Sequence, residues 1–342
     1  MTVHRTRPSW EILSGDSADV YFARAERILE LEGLDPVVVM EVFARQEAIL
    51  CGIEEAKNLI GTVFAAPGAG DAVVEALDDG DRIAPKEVVL RITGRYRAFG
   101  LYETAILGML AQSTGWATAA REVVEAAAPE PVISFGARHV HPDIVDVLDY
   151  AAIIGGCVGA STPAGARLAG LNPTGTMPHS LVLIIGDTVD AARAFDREME
   201  PDVPRIVLVD TFRDEAEESL RVAEALGDRL WGIRLDTPSE RGRVTADLVK
   251  EVRARLDQAG HTKVRIVVSG GLNPDRIRYF KEAGAPVDSF AVGSYISGAA
   301  PIDFTGDLKE IDGRPIAKRG RIPGRTDSPR LRPVDLADWR QD

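Results

Sequence analysis

VRIVVSGGLNPDRIRYFKEAGAPVDSFAVGSYISG, residues 264–298, is the stretch whose reading decides the fold. An apolar run over 264–268, interrupted once by Arg265, stops at Ser269-Gly270-Gly271, and helical spacing takes over. A second apolar run, Phe290-Ala291-Val292, stops at Gly293-Ser294. Short continuous apolar runs bounded by turn residues have the pattern of parallel strands buried on both faces. Glycine at the end of such a strand lets the backbone approach a ligand and point its N–H groups at it. Two such turns, on the last two strands of a βα series, describe a phosphate cradle of the kind found on (β/α) barrels. The plainer reading, that the glycines serve short βα connections, leaves the serine in each turn unexplained.

The same period extends upstream. From about residue 131, apolar runs at VISFG, CVGAS, PTGTMP, RIVLVD and LWGIRLD alternate with helical segments and lead into VRIVVSG and SFAVGS. That is the signature of repeated βα units on a parallel sheet. A complete eightfold barrel takes about 250 residues, so residues 129–300 predict an irregular, incomplete (β/α) barrel of about seven strands. Residues 1–128 have a different texture. DSADVYFARAERILEL predicts a helix capped by Asp16 or Ser17. PVVVMEVFARQEA suits strand or helix, and VVEALDDGDRIAPKEVVLRITG reads as antiparallel strands joined by turns. FGLYETAILGMLAQSTGWATAAREVVEAAA predicts one long helix, or two abutting, that links this α+β domain to the barrel. The charged, proline-containing segment 301–342 is expected to pack back on the N-terminal domain and fray at its end.

Composition narrows the function. A net charge of −13 over 342 residues argues against nucleic acid or an anionic membrane as partner. A small anionic substrate stays open, because a few arginines set the field in a cleft. Cys51 and Cys157 lack metal-ligand spacing and suit a reducing cytosol. The N-terminal MTVHRTRPSWEIL lacks the apolar core of a leader, and no apolar run is long enough to span a bilayer. The expectation is a cytoplasmic protein.

In barrels of this kind the working residues stand at the C-terminal ends of strands. Those positions are Phe135 with Arg138, His139 and His141; Ser161; Thr174, Thr176 and His179; Asp210 and Thr211; Arg234 and Asp236; and the two glycine turns. Two carboxylates, two arginines, a histidine and a phosphate cradle on one face suit a substrate rich in phosphates and hydroxyls, with a divalent metal bridging acids to a diphosphate. No lysine ends any of the runs, which speaks against a simple aldolase or isomerase. Plainer roles exist for each residue. Asp210 and Asp236 are candidate helix N-caps, and Tyr21 is a candidate packing residue. His179 would serve as an ordinary loop histidine, and His139 and His141, with no third ligand nearby, read as solvent-facing.

These residues also resemble a known family. SADVYFARAERIL, LYETAILGMLAQSTGWAT, SFGARHVHP, GLNPTGTMPHSLV, LVDTFRDE, GIRLDT, VVSGGLNPDRI and GAPVDSFAVGSYIS are similar, in order, to nicotinate phosphoribosyltransferases and the wider group that includes the quinolinate and nicotinamide enzymes. DLKEIDGRPIAKRGR resembles the tail strand of that family. The resemblance covers residues 16–300 and rests on Phe-Gly-x-Arg, Gly-Thr-x-x-His-Ser and Ser-Gly-Gly together.

The resemblance implies that nicotinate and phosphoribosyl pyrophosphate are the substrates, with Mg2+ and ATP. It places Phe135 against the pyridine ring, with Tyr21 from a second subunit on the other side. Arg138 would contact base or phosphates, Arg234 would sit beside the base and ribose with Thr176, and Asp210 and Asp236 would hold the ribose hydroxyls directly or through magnesium. Ser269, Gly270, Gly271, Gly293 and Ser294 would cradle the 5-phosphate, and His179 matches the histidine that ATP phosphorylates. A homodimer or higher homo-oligomer with a shared active site follows. Two positions depart from the pattern. Thr104 stands where the quinolinate enzymes carry an arginine after the glutamate matched by Glu103, which disfavours a dicarboxylate. His139 replaces a second arginine found in many members. The alternatives are the decarboxylating quinolinate enzyme, a relative using another heterocyclic base, or a non-catalytic sugar-phosphate-binding protein.

Overall fold

The structure, a computed structural model, describes residues 8–336. The reading of the first seven residues and the expected fraying of the last ones fall outside that range. The chain divides into two compact units, one running to Thr118 and resuming at Ala299, the other comprising Ala119–Gly298.

In the first unit, six strands form an antiparallel sheet in the order Arg314–Pro315, Phe304–Ile311, Val37–Ala44, Val88–Arg95, Val73–Ala76, Arg332–Pro333. The segment left open between strand and helix is thus the strand Val37–Ala44, as its run of β-branched residues favours. Val38, Met40, Val42 and Ala44 point to one face, where they pack with Val74, Leu90, Ile92 and the helix Ile53–Phe64. The alternate positions build a polar layer on the other face. Glu41 is buried opposite Arg91 on the neighbouring strand and pairs with its Nη2 at 2.8 Å. The amide and hydroxyl of Thr326 donate to the two oxygens of Glu41 at 2.9 and 2.6 Å. Arg321 pairs with Asp307 at 2.6 Å, and Lys309 donates to the Ile322 carbonyl at 2.6 Å. Removing one partner of such a buried pair costs about 3–5 kcal/mol, so these charges hold the segment after residue 315 onto the sheet.

The helix expected to start at Asp16 or Ser17 begins instead at Val20, with Asp19 at its N-cap. Ser17 is drawn back to the short helix Trp10–Leu13, its hydroxyl donating to the Glu11 carbonyl. Asp19 makes no capping bond, because its carboxylate accepts from the Tyr21 and Thr104 hydroxyls, each at 3.0 Å. The long linking helix is continuous over Glu103–Ala127.

Glu103, in the first turn of that helix, is pushed up from its ordinary 4.5 to about 7, chiefly by burial and then by the charge of Asp307, against a smaller opposing pull from Lys318. A carboxyl with a raised folded-state pKa binds its proton more tightly when folded. Its contribution is therefore fully present below the unfolded pKa and lost as pH rises through about 7. Glu103→Gln should melt with the parent near pH 4.5 and roughly 2–4 °C above it at pH 8. Parallel melting curves at both pH values would remove Glu103 as the cause.

The second unit is an open, curled parallel sheet. Its strand order is Gly159–Ala160, Val132–Ser134, Ser289–Val292, Arg265–Val268, Leu230–Leu235, Arg205–Leu208. Strands and helices alternate along the chain, and Ile206, Val267 and Ala291 form a small inner core with Phe135 and Trp231. Six of the seven apolar runs are strands. The exception is PTGTMP, residues 173–178, which is irregular and falls in sequence between the two edge strands of the sheet. Thr174 makes one ladder-like bond, its amide donating to the Ala160 carbonyl at 2.8 Å. Pro173 and Pro178 have no N–H to extend that ladder, and Gly175 stiffens nothing. The half-barrel therefore stays open at that point.

The capping alternatives for the two aspartates also resolve. Asp214, not Asp210, caps the helix Glu215–Leu226. Pro178-like geometry recurs after Asp236, where Pro238 precedes the short turn Ser239–Arg241 and Thr245 caps the helix Ala246–Gln258. Both aspartates are left for other work.

Candidate active site at the strand ends

A cavity of ≈ 380 Å3 opens at the C-terminal ends of the parallel strands, and its lining comes wholly from the second unit. Phe135, Arg138, Thr176, Arg234, Asp236, Ser269, Gly270, Gly271, Gly293 and Ser294 all line it, so ten of the thirteen residues expected at the site are brought together. Ala291 lies in both the inner core and the lining, which places the cavity floor on the sheet itself.

Arg234 is the centre of the arrangement. Its Nε donates to Ser269 Oγ at 2.8 Å, Nη1 to Thr176 Oγ1 at 3.1 Å, and Nη2 to Asp236 Oδ2 at 2.9 Å. The guanidinium carbon lies 4.9 Å from the centre of the Phe135 ring, within cation–π range. Burial lowers the pKa of Arg234, and the nearby charge of Arg138 adds to this, while Asp236 and Asp210 oppose it. Ser269 is buried and hands its own proton on, donating to Asp236 Oδ1 at 2.8 Å. These groups come from the ends of three strands (Phe135, Arg234 with Asp236, and Ser269) and from the 173–178 loop, so their meeting depends on the curl of the sheet.

The two glycine turns have separate reasons for glycine. Gly270 and Gly271 lie at φ +91° and +60°, in the left-handed region. Gly293 does not; instead a Cβ there would stand 2.9 Å from the Phe135 carbonyl oxygen and 3.2 Å from His139 Cε1. The second turn is therefore pressed against the loop that carries Phe135 and Arg138.

His179 and Asp210 adjoin the cavity without lining it. His179 opens the helix His179–Ile185 directly after Pro178, which does line the cavity. Its Nε2 meets Asp210 Oδ2 at 3.0 Å. The Asp210 side chain is 2% exposed, against 39% for His179. Burial raises the pKa of Asp210; the bond from His179 opposes that, and the charge of Asp236 adds to it. Asp210 Oδ1 is buried with no hydrogen-bond partner. Tyr21 belongs to the first unit, where its ring is 57% exposed and its hydroxyl donates to Asp19.

Two residues escaped the sequence reading. His139 is exposed, as a solvent-facing residue would be, and it also lines the cavity beside Gly293. Arg243 lies against the first glycine turn, and nothing in its spacing, seven residues beyond Asp236, distinguishes it from a solvated loop arginine. His141 does face solvent, its Nδ1 accepting from the Asp143 amide at 3.3 Å.

Known proteins share this organisation. A family model described as "Quinolinate phosphoribosyl transferase, N-terminal domain" matches residues 19–114, and its C-terminal counterpart matches residues 116–307. The nicotinate phosphoribosyltransferase pncB1 of Mycobacterium tuberculosis is 33% identical over 255 residues, which is 72% of this chain and 55% of that protein. The chain thus spans about half the length of that relative. A probable nicotinate-nucleotide pyrophosphorylase [carboxylating] of Methanothermobacter thermautotrophicus is 22% identical over 80% of this chain and 89% of that protein. The crystal structure of nicotinate-nucleotide pyrophosphorylase from Pyrococcus furiosus superposes with a TM-score of 0.85 at 42% identity, covering 95% of this chain and 82% of its own. With both domain models matched in order over residues 19–114 and 116–307, the chain belongs to the quinolinate phosphoribosyl transferase family.

Proposed function

We propose that the chain transfers the phosphoribosyl group of phosphoribosyl pyrophosphate to the ring nitrogen of nicotinate, giving nicotinate mononucleotide and pyrophosphate in NAD salvage. The observation that carries this reading is the Arg234–Asp236–Ser269 node beside the Gly270–Gly271 turn and over Phe135. In the reaction the pyridine nitrogen bonds to the anomeric carbon as the bond to pyrophosphate breaks. The nitrogen lone pair is the nucleophile, so no general base is needed. Catalysis then consists of holding two reactants in line and stabilising an oxocarbenium-like state.

Phe135 offers a flat face to the pyridine ring, and Arg138 and Arg234 offer charge to its carboxylate or to phosphate. Asp236 and Asp210 orient the ribose hydroxyls, and the turns at Ser269-Gly270-Gly271 and Gly293-Ser294 take the 5-phosphate. Magnesium fits one feature here, the partnerless buried oxygen of Asp210. Bound there it would supply positive charge to the departing pyrophosphate. Among the described residues no cluster of three or more His, Cys, Asp or Glu is placed to hold a metal, so water and substrate oxygens would complete its shell.

ATP coupling rests on His179. An ionised Asp210 accepts from Nε2–H, which leaves the lone pair on Nδ1 to attack the γ-phosphorus of ATP as ADP leaves. Tyr21 would serve the site of a second copy. Supporting this, the helix Val20–Leu31 buries no residue, and Val20, Tyr21, Ile28 and Leu31 are all exposed.

A second reading, the decarboxylating quinolinate enzyme, is favoured by the family models and by the archaeal relative that this chain covers along most of its length. The surroundings of Thr104 oppose it. Its hydroxyl is bound to Asp19 and its neighbour is the acidic Glu103, so no arginine stands here to meet a second carboxylate.

One assay decides between them: pyrophosphate release with magnesium and phosphoribosyl pyrophosphate, offering nicotinate, nicotinamide or quinolinate, each with and without ATP. Turnover with nicotinate, stimulated by ATP in the parent but not in His179→Asn, is the expected result. Carbon dioxide release from quinolinate would install the second reading, and no turnover with any base would leave a sugar-phosphate-binding protein. The same preparation should sediment as a dimer; full activity in a monomer would remove Tyr21 from the site.

A further inference from the structure

The cradle at Ser269-Gly270-Gly271 has a charge problem. A phosphate monoester held there would be a dianion close to Asp236, and Arg234, the cation bonded to Ser269, is committed to Asp236, Ser269 and Thr176. Arg243 is an uncommitted one. A Cβ built on Gly271 would lie 2.3 Å from Arg243 Nη1 and 3.5 Å from its Cζ, so the guanidinium rests against the backbone of the turn. Among the described residues it forms no salt bridge or side-chain hydrogen bond; the acid that feels its charge is Glu240, which is fully exposed.

The loop that carries Arg243 is pinned at both ends. Thr237 is buried and donates to Glu215 at 2.7 Å, and the Val244 carbonyl accepts from Arg276 at 2.9 Å. Between them Arg243 itself sits at φ +66°, after Gly242 at φ +87°, with its amide bonded to the Pro238 carbonyl at 3.1 Å. A left-handed conformation in a non-glycine residue costs on the order of 1 kcal/mol. Arg243 is exposed, yet its backbone is fixed by these bonds.

We infer that Arg243 is a substrate-binding residue, the cation that closes the glycine turn over the 5-phosphate of the sugar phosphate. The inference rests on the reading of that turn as a phosphate site and extends it to a residue from a different loop. A charged hydrogen bond to a dianion contributes about 1.5–3 kcal/mol, which corresponds to roughly 10- to 100-fold in affinity. Its effect falls on the 5-phosphate and leaves the pyrophosphate end alone.

The test measures ribose 5-phosphate and pyrophosphate as inhibitors, and as calorimetric ligands, of the intact chain. Arg243→Gln should weaken ribose 5-phosphate roughly 10- to 100-fold and leave pyrophosphate unchanged, while Arg243→Lys recovers part of the loss. Gly271→Ala, which puts a methyl where the guanidinium lies but keeps the charge, should shift ribose 5-phosphate in the same direction, and melting curves check that each variant is folded. Ribose 5-phosphate binding within about twofold of the parent in folded Arg243→Gln overturns the role of Arg243 while the phosphate reading of the turn stands. Failure of ribose 5-phosphate to bind the parent protein overturns that reading, and the role of Arg243 with it.

Discussion

Asp236→Asn is expected to lower kcat for pyrophosphate release roughly 100- to 1000-fold with little change in melting temperature. The hydrogen-bond inventory explains the size. Arg234 Nη2 donates to Oδ2 and Ser269 Oγ donates to Oδ1, so both oxygens accept. Ser269 Oγ accepts from Arg234 Nε at 2.8 Å, and the other acceptor in reach of its proton is the Leu235 carbonyl at 3.2 Å, the longer of its two bonds. Asparagine keeps the shape but has one acceptor and one NH2, so it can accept from only one of the two donors and the node must rearrange, with Ser269 left to the longer Leu235 bond. The substitution also deletes the charge that raises the pKa of Asp210 and that opposes the effect of burial on Arg234. Because Asp236 caps no helix, the fold should be indifferent. The comparison is kcat and KM for both substrates alongside a melting curve. A variant that folds and turns over at about the parent rate would take Asp236 out of the chemistry.

Arg234→Lys is expected to reduce kcat/KM for nicotinate roughly 100-fold or more, with KM rising as well as kcat falling. Three acceptors lie around the guanidinium in three directions, at 2.8, 3.1 and 2.9 Å. A fork with fixed geometry satisfies them together, whereas an ammonium on a shorter reach satisfies one or two. The stack on Phe135 is lost as well, which frees the ring proposed to carry the base. Since Thr176 sits three residues before His179, the loosened loop should also weaken ATP stimulation. The split between the two substitutions is diagnostic. Asp236→Asn acts mainly on kcat, and Arg234→Lys acts on the KM for the base and on coupling. Identical profiles would mean that the node works only as a structural brace.

Much of this protein is readable without coordinates because the relevant signals are local. Alternation of short apolar runs with amphipathic stretches identifies parallel βα units, since a strand buried on both faces needs a continuous apolar sequence. Gly270 and Gly271 announce a left-handed turn because few other residues adopt one without strain. The gathering of strand-end residues follows from the same regularity: once the strands are parallel, their C-terminal ends share a face.

What only the tertiary structure decided concerns groups whose fate depends on distant neighbours. Segment 173–178 looks like a strand in its apolar and β-branched content, but two prolines and an open sheet edge leave it a loop. Asp210 and Asp236 are as good cap residues as Asp214 and Thr245, and the register of the following helices, not residue type, decided between them. Glu41 would pass for a surface residue on an alternating strand; it is buried because Arg91 and Thr326, 50 and 285 residues away, satisfy it. His139 and Arg243 reach the cavity and the cradle only because the sheet curls and two loops are pinned against it. Backbone conformation and hydrophobic period are properties of adjacent residues and so are written in the sequence, whereas side-chain convergence is set by the summed curvature of elements far apart in it.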